Sequence, residues 1–214
     1  YRLAAEQGDA EAQRILVDCY KRQGDCYFLG EGIREDKREA VKWYRLAAEQ
    51  GDAEAQRILG DCYFWGEGIR EDKQEAVKWY RLAAEQGDAE AQRILGACYY
   101  FGTGIREDKQ EAVKWYRLAA EQKNSEARWR LGDCYFWGEG IREDKREAVK
   151  WYRLAAEQKN SEARWRLGSC YYFGTGIRED KREAVKWYRL AAEQKNSEAR
   201  WRLGSCYYFG TGIR

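Results

Sequence analysis

Apolar residues in this chain fall at helical spacing and return on a fixed beat. In the stretch 53–65, AEAQRILGDCYFW, the residues Ala55, Leu59, Cys62 and Tyr63 stand at i, i+4, i+7 and i+8, one face of a helix. In the stretch 73–86, Ala76, Val77, Tyr80, Ala83 and Ala84 form a second apolar face. Trp79 sits at its edge, and Lys73, Lys78 and Arg81 lie on the solvated side. The phrase YRLAAEQ opens at Tyr44, Tyr80, Tyr116, Tyr152 and Tyr188, a period of 36 residues. Self-similarity at such a period is the mark of a stacked repeat architecture. A unit this short lies below the roughly 40 residues that usually fold alone, so each copy must bury its apolar face against its neighbours.

Local signals place the boundaries. A first helix is expected from about Ala53 to Trp65, with Asp52 as N-cap and Gly66-Glu67-Gly68 as its end. Asp72-Lys73-Gln74-Glu75 reads as a capping box: Asp72 takes a backbone N–H and Glu75 reaches back. The second helix then runs to Gln86, Gly87 supplies a left-handed residue, and Asp88 caps the next unit. Gly60 stands in mid-helix at a cost of about 1 kcal/mol, and Gly96, Gly132, Gly168 and Gly204 repeat it. A helix crossing too close for a side chain would explain the placement.

The expected organisation is a single all-α array over residues 1–214: a half repeat at 1–7, a first unit at 8–43, and repeats starting at 44, 80, 116, 152 and 188, the last truncated. Asp9 is the N-cap of a helix beginning at Ala10. The first unit carries seven extra residues, QRIL-VDCYKRQ-GDCYFLGEG against QRIL-GDCYFWGEG. A heptad drifts only about 20° around a helix, so it can lengthen the helix without turning its buried face. Asp18-Cys19-Tyr20 and Asp25-Cys26-Tyr27 would then share a side. A break at Gln23-Gly24-Asp25 is the alternative; the alignment of Gly24 with Gly60 favours the long helix.

Composition narrows the function. The 39 basic and 37 acidic residues leave a net charge of +2, which argues against a general nucleic-acid or membrane-surface binder. No apolar run approaches the roughly 20 residues of a membrane helix, and no signal-peptide core opens the chain. There is no His, the commonest general base and metal ligand. Neither a cofactor nor a metal site is expected, and compartment and partner identity stay open. Pairs such as Glu71-Asp72 read as caps and solvated charges, and Gly66-Glu67-Gly68 without a preceding strand is a turn. Cys62, Cys98, Cys134, Cys170 and Cys206 recur at a buried-stripe position; with Cys19 and Cys26 they are expected as reduced thiols. Packed neighbouring helices lie roughly 8–10 Å apart, beyond the reach of a disulfide.

Leu59-Gly60-x-x-Tyr63, Gly66-x-Gly68-Ile69-x-x-Asp72, Ala76-x-x-Trp79-Tyr80 and Ala83-Ala84-Glu85-x-Gly87 resemble the Sel1-like repeat, a relative of the tetratricopeptide repeat. The resemblance implies a right-handed solenoid of antiparallel helix pairs whose first helices line a concave surface. It also implies a non-catalytic binding scaffold or adaptor. Natural members often carry two cysteines per repeat as an internal disulfide, and this chain lacks that arrangement. From Lys123 onward the Gly-Asp-Ala between units becomes Lys-Asn-Ser. Lys123, Lys159 and Lys195 in a glycine position make that turn strained by about 1 kcal/mol or reshaped.

The copies differ at few places. Residues 44–79 and 80–115 differ at Asp61/Ala97, Phe64/Tyr100, Trp65/Phe101 and Glu67/Thr103. Residues 116–151 and 152–187 differ at the same points: Asp133/Ser169, Phe136/Tyr172, Trp137/Phe173 and Glu139/Thr175. Arg57 and Arg93 give way to Trp129, Trp165 and Trp201, while the next residue changes from Ile to Arg. Positions 57, 61, 64 and 65 are one stripe of the first helix, and by the resemblance that stripe faces the groove. The expected binding surface is therefore Arg57, Asp61, Phe64, Trp65, Arg93, Tyr100, Phe101, Trp129, Asp133, Phe136, Trp137, Trp165, Tyr172, Phe173 and Trp201, for a protein or peptide partner. The competing reading packs these aromatics between repeats. A second class of function is a structural array whose copies associate end to end, since near-identity of repeats points to recent duplication or consensus design.

Overall fold

The computed structural model describes residues 2–213, and among them there are twelve helices and no strand. They divide into two compact units, the first ending at Glu107 and the second beginning at Asp108. Unit 1 holds α1 (Arg2–Glu6), α2 (Ala10–Leu29), α3 (Lys37–Glu49), α4 (Ala53–Trp65), α5 (Lys73–Glu85) and α6 (Ala89–Phe101). Unit 2 holds α7 (Lys109–Glu121), α8 (Ser125–Trp137), α9 (Lys145–Glu157), α10 (Ser161–Phe173), α11 (Lys181–Glu193) and α12 (Ser197–Phe209). Within each unit consecutive helices pack on one another. Tyr1 and Arg214, which open and close the expected partial repeats, lie outside the described residues.

The first helix of a repeat starts where its cap puts it. The Asp52 carboxylate accepts the Ala55 N–H at 2.7 Å, and Gly66 ends the helix at φ 71°. The second helix is capped differently from the expected box. Asp72 accepts from the N–H groups of Gln74 and Glu75 at 3.0 and 2.9 Å, but Glu75 does not reach back. The Asp72 N–H donates instead to the Tyr63 carbonyl at 2.9 Å, which ties the turn to α4 and leaves Glu75 to pair with Lys78 at 2.6 Å. Lys123, Lys159 and Lys195 take the strained branch, with φ of 67°, 64° and 65°. The Asn124 side chain still caps α8 through the Ala127 N–H at 2.9 Å.

The core is small side chains packed around one tyrosine per repeat. Tyr80 and Tyr152, with Leu59 and Leu131, are among the largest side chains that are fully buried. The mid-helix glycines make room for those rings: a Cβ on Gly60 would meet Tyr80 at 2.6 Å, and one on Gly132 would meet Tyr152 at 2.6 Å. Gly24 does the same for Tyr44, and α2 runs unbroken for 20 residues, so the seven extra residues lengthen the helix. Tyr20, from the added turns, meets Trp43 in a tilted arrangement with centroids 5.8 Å apart. All seven cysteines are free, and Cys62, Cys98, Cys134, Cys170 and Cys206 are buried. No helix of the described residues is long and apolar enough to cross a membrane.

Candidate functional site

The last residue of each first helix projects from the core. The αL glycine that follows turns the chain away from that position. Trp65 and Phe101 in unit 1 are 70% and 60% exposed; Trp137 and Phe173 in unit 2 are 59% and 56% exposed. Each is braced by the ring before it: Phe64 meets Trp65 edge-on with centroids 4.8 Å apart, and Phe136 meets Trp137 in the same way at 4.8 Å. Phe64 and Phe136 in turn lie 6.3 Å from the buried Tyr80 and Tyr152 rings. Tyr100 and Tyr172 brace Phe101 and Phe173 at 4.8 and 4.9 Å.

Between successive first helices these rings wall small cavities. In unit 1 a cavity of about 280 Å³ opens between Trp65 and Phe101, with Asp61, Phe64, Arg93 and Ile94 on its walls. A wider concavity of about 480 Å³ next to it is bordered by Arg57, Asp61, Trp65 and Leu29. In unit 2 a cavity of about 180 Å³ opens between Trp137 and Phe173, walled by Phe136, Trp165, Arg166 and Arg202. The first and last cavities share nine wall positions 72 residues apart; Asp61 belongs to the first alone and Arg202 to the last alone.

The polar groups of these walls are tied down. The Tyr80 hydroxyl donates to Asp61 at 2.8 Å, and Arg57 reaches the other Asp61 oxygen at 3.3 Å. Arg93 grips one oxygen of Glu90 through Nε and Nη2, at 2.9 and 2.6 Å. In unit 2 the Tyr152 hydroxyl donates to Asp133, whose second oxygen accepts from Arg166 at 2.9 Å. Burial holds the carboxyls of Asp61 and Asp133 above the usual carboxylate range, against the pull of Tyr80 and Arg57 on the first and of Arg166 and Tyr152 on the second. Burial also pushes the thiols of Cys62, Cys134 and Cys170 up to about 12 and that of Cys98 up to about 11, so none offers a thiolate near neutral pH.

The three tryptophans expected on this surface have three different fates. Trp129 is only 7% exposed and packs with Ala148, Val149 and Tyr152, its face covered by Arg130 at 4.1 Å. Trp165 is half-buried and packs against the cluster of Ala184, Val185, Tyr188 and Cys206, with Arg166 at 4.6 Å over the ring. Trp201 is 64% exposed, on the last helix. Arg57, Asp61, Phe64, Trp65, Arg93 and Phe101 come together in unit 1, and Phe136, Trp137, Trp165 and Phe173 in unit 2. The sequence reading missed Ile94, Arg166 and Arg202 as wall residues, and the hydroxyls of Tyr80 and Tyr152, read there as apolar. The change from Arg-Ile at 93–94 to Trp-Arg at 165–166 was the available signal: it moves the cation one position around the helix.

The Sel1 repeat model matches residues 1–9, 22–52, 53–88, 89–124, 125–160, 161–196 and 197–214, passing over 10–21 in the lengthened helix. No curated protein sequence matches the chain. Among solved structures, c5321, a protective antigen of uropathogenic Escherichia coli strains displaying an SLR fold, is 38% identical with a TM-score of 0.87. That match covers 98% of this chain and 43% of c5321, so the chain spans less than half the length of that protein. A Sel1 repeat protein from Oxalobacter formigenes is 39% identical with a TM-score of 0.83, over 89% of this chain and 78% of that one. The immunity protein Pa5087 from Pseudomonas aeruginosa, 21% identical with a TM-score of 0.54 over 86% of this chain and 67% of its own, shares the fold alone. With family matches along nearly its whole length, the chain belongs to the Sel1 repeat family, whose helical solenoids generally serve as non-catalytic scaffolds for protein interaction.

Proposed function

We propose that this chain binds a protein or peptide partner through the aromatic cavities of its first helices. One observation carries the reading. Trp65, Phe101, Trp137 and Phe173 are each more than half exposed, and each meets a neighbouring ring edge-on at 4.8 to 4.9 Å. A large aromatic that loses little side-chain freedom on contact, beside a cavity and a few fixed polar groups, is the composition of a binding hot spot. The buried Trp129 contributes packing, not contact. Affinity capture from a lysate, read by mass spectrometry, tests the reading against a variant with Trp65, Phe101, Trp137 and Phe173 all changed to Ala. These side chains are exposed, so the variant should keep its helicity by circular dichroism and lose the partners of the parent. The same partners on both proteins would overturn the proposal.

A second reading is association of copies through α12, where Trp201, Tyr208 and Phe209 are 64%, 84% and 75% exposed. Sedimentation at rising concentration separates the two: a monomer throughout removes it.

A further inference from the structure

The two equivalent cavities differ in charge. In unit 1 the wall cation, Arg93, is neutralised by Glu90, and Asp61 stands on the same wall. In unit 2 no wall residue is acidic, and the wall carries two guanidinium groups. One of them, Arg166, is taken by Asp133 at 2.9 Å. The other, Arg202, is half-buried and forms no ion pair among the described residues. Its guanidinium lies 4.7 Å from the Trp201 ring and 5.3 Å from the Phe173 ring.

A guanidinium stacked on aromatic faces is fixed in orientation, and its N–H groups remain in the ring plane as a fork. That fork matches a carboxylate, and partial burial between apolar rings strengthens the pairing relative to open water. Beside it Trp137 and Phe173 offer an apolar shelf. The cavity of about 180 Å³ admits side chains, not a folded domain.

Resting on the binding role proposed above, we infer that the unit 2 cavity recognises an extended peptide segment by an acidic side chain set next to an aromatic or branched aliphatic one. The carboxylate pairs with Arg202, and the apolar neighbour lies on Trp137 and Phe173. The unit 1 cavity, whose cation is already paired, takes apolar side chains without an acidic requirement.

A random peptide library displayed on phage, each peptide fused at its C-terminus so that only side chains supply carboxylates, is selected against the immobilised chain. Enrichment of Asp or Glu adjacent to an aromatic or aliphatic residue is the expected result. Arg202→Gln, checked for folding by circular dichroism, should keep the apolar enrichment, lose the acidic one, and weaken a selected acidic peptide about tenfold or more. Arg202→Glu should turn the charge preference towards Lys and Arg. Apolar enrichment without acidic residues, or an acidic preference that survives both variants, would overturn this inference and leave the proposed binding role standing. No enrichment at all would overturn both.

Discussion

Units 1 and 2 share a frame and differ on one face. The αL glycine that ends each first helix, the Asp cap of each second helix, the buried tyrosine and the mid-helix glycine are the same in each, down to the 2.6 Å that separates an added Cβ from Tyr80 or Tyr152. The front half of the first helix is not. Gly51-Asp-Ala-Glu-Ala-Gln-Arg-Ile in unit 1 stands against Lys123-Asn-Ser-Glu-Ala-Arg-Trp-Arg in unit 2. Some of these exchanges leave the contact in place. Gln56 donates to the Ala48 carbonyl at 3.1 Å and accepts from Gln86 at 2.8 Å; Arg128 donates to the Ala120 carbonyl at 3.0 Å and to Gln158 at 2.8 Å. Others change what the surface presents. Where Arg93 and Ile94 stand in unit 1, unit 2 has Trp165 and Arg166: the tryptophan moves towards the next helix and its neighbour becomes a stacked cation. The comparison teaches that this repeat separates what must be constant for stacking from what can vary for recognition.

The shared frame gives the largest expected effects. Gly60→Ala and Gly132→Ala should each cost about 1–3 kcal/mol, since the added methyl must displace a fully buried tyrosine ring. Gly204, with open space where its Cβ would be, should gain up to about 1 kcal/mol from the same change. Urea midpoints read all three, and clearly unequal losses at Gly60 and Gly132 would break the equivalence of the units.

The buried carboxylates come next. Asp133→Ala strips Tyr152 and Arg166 of their acceptor and should cost about 1–3 kcal/mol. Asp133→Asn keeps an acceptor and removes the charge, and here pH decides the sign. Burial raises the carboxyl above its unfolded value, so between the two values the folded state holds more protons than the unfolded one. The contribution of Asp133 to stability is therefore full below its ordinary range and falls as pH rises through the raised value. Thermal midpoints should favour Asp133→Asn more at pH 7 than at pH 4, and Asp61→Asn should follow the same direction. A difference that shrinks with rising pH would contradict this.

The smallest effect lies in the turns. Lys159 sits at φ 64° where Gly87 sits at φ 94°. Lys159→Gly should stabilise unit 2 by about 1 kcal/mol, and Gly87→Lys should weaken unit 1 by a similar amount. Differential scanning calorimetry would show opposite shifts; shifts of the same sign would contradict the strain argument.

The frame was legible because its signals are local. Helical spacing, an Asp or Asn at each start and a glycine at each end placed Ala53–Trp65 at the boundaries that α4 shows. The glycine notch was legible because its position repeats. The face was less so, because exposure depends on the neighbour that covers a residue. Trp129, Trp165 and Trp201 stand in the same SEARWRLG stretch, yet Trp129 is 7% and Trp201 64% exposed. The Arg202 stacking on Phe173 is a contact between helices that no spacing within a repeat encodes. The same holds for Glu75, whose back-bond was forestalled by the Tyr63 carbonyl on α4.

The most direct test of the account uses a synthetic copy, acetylated and amidated, of the most enriched acidic peptide. It is titrated calorimetrically into the parent, into Trp65→Ala/Phe101→Ala and into Trp137→Ala/Phe173→Ala. Binding that survives the first pair of changes and is lost with the second is the predicted result. Equal loss with both pairs, or with neither, would contradict the claim that the two units present different recognition surfaces on one frame.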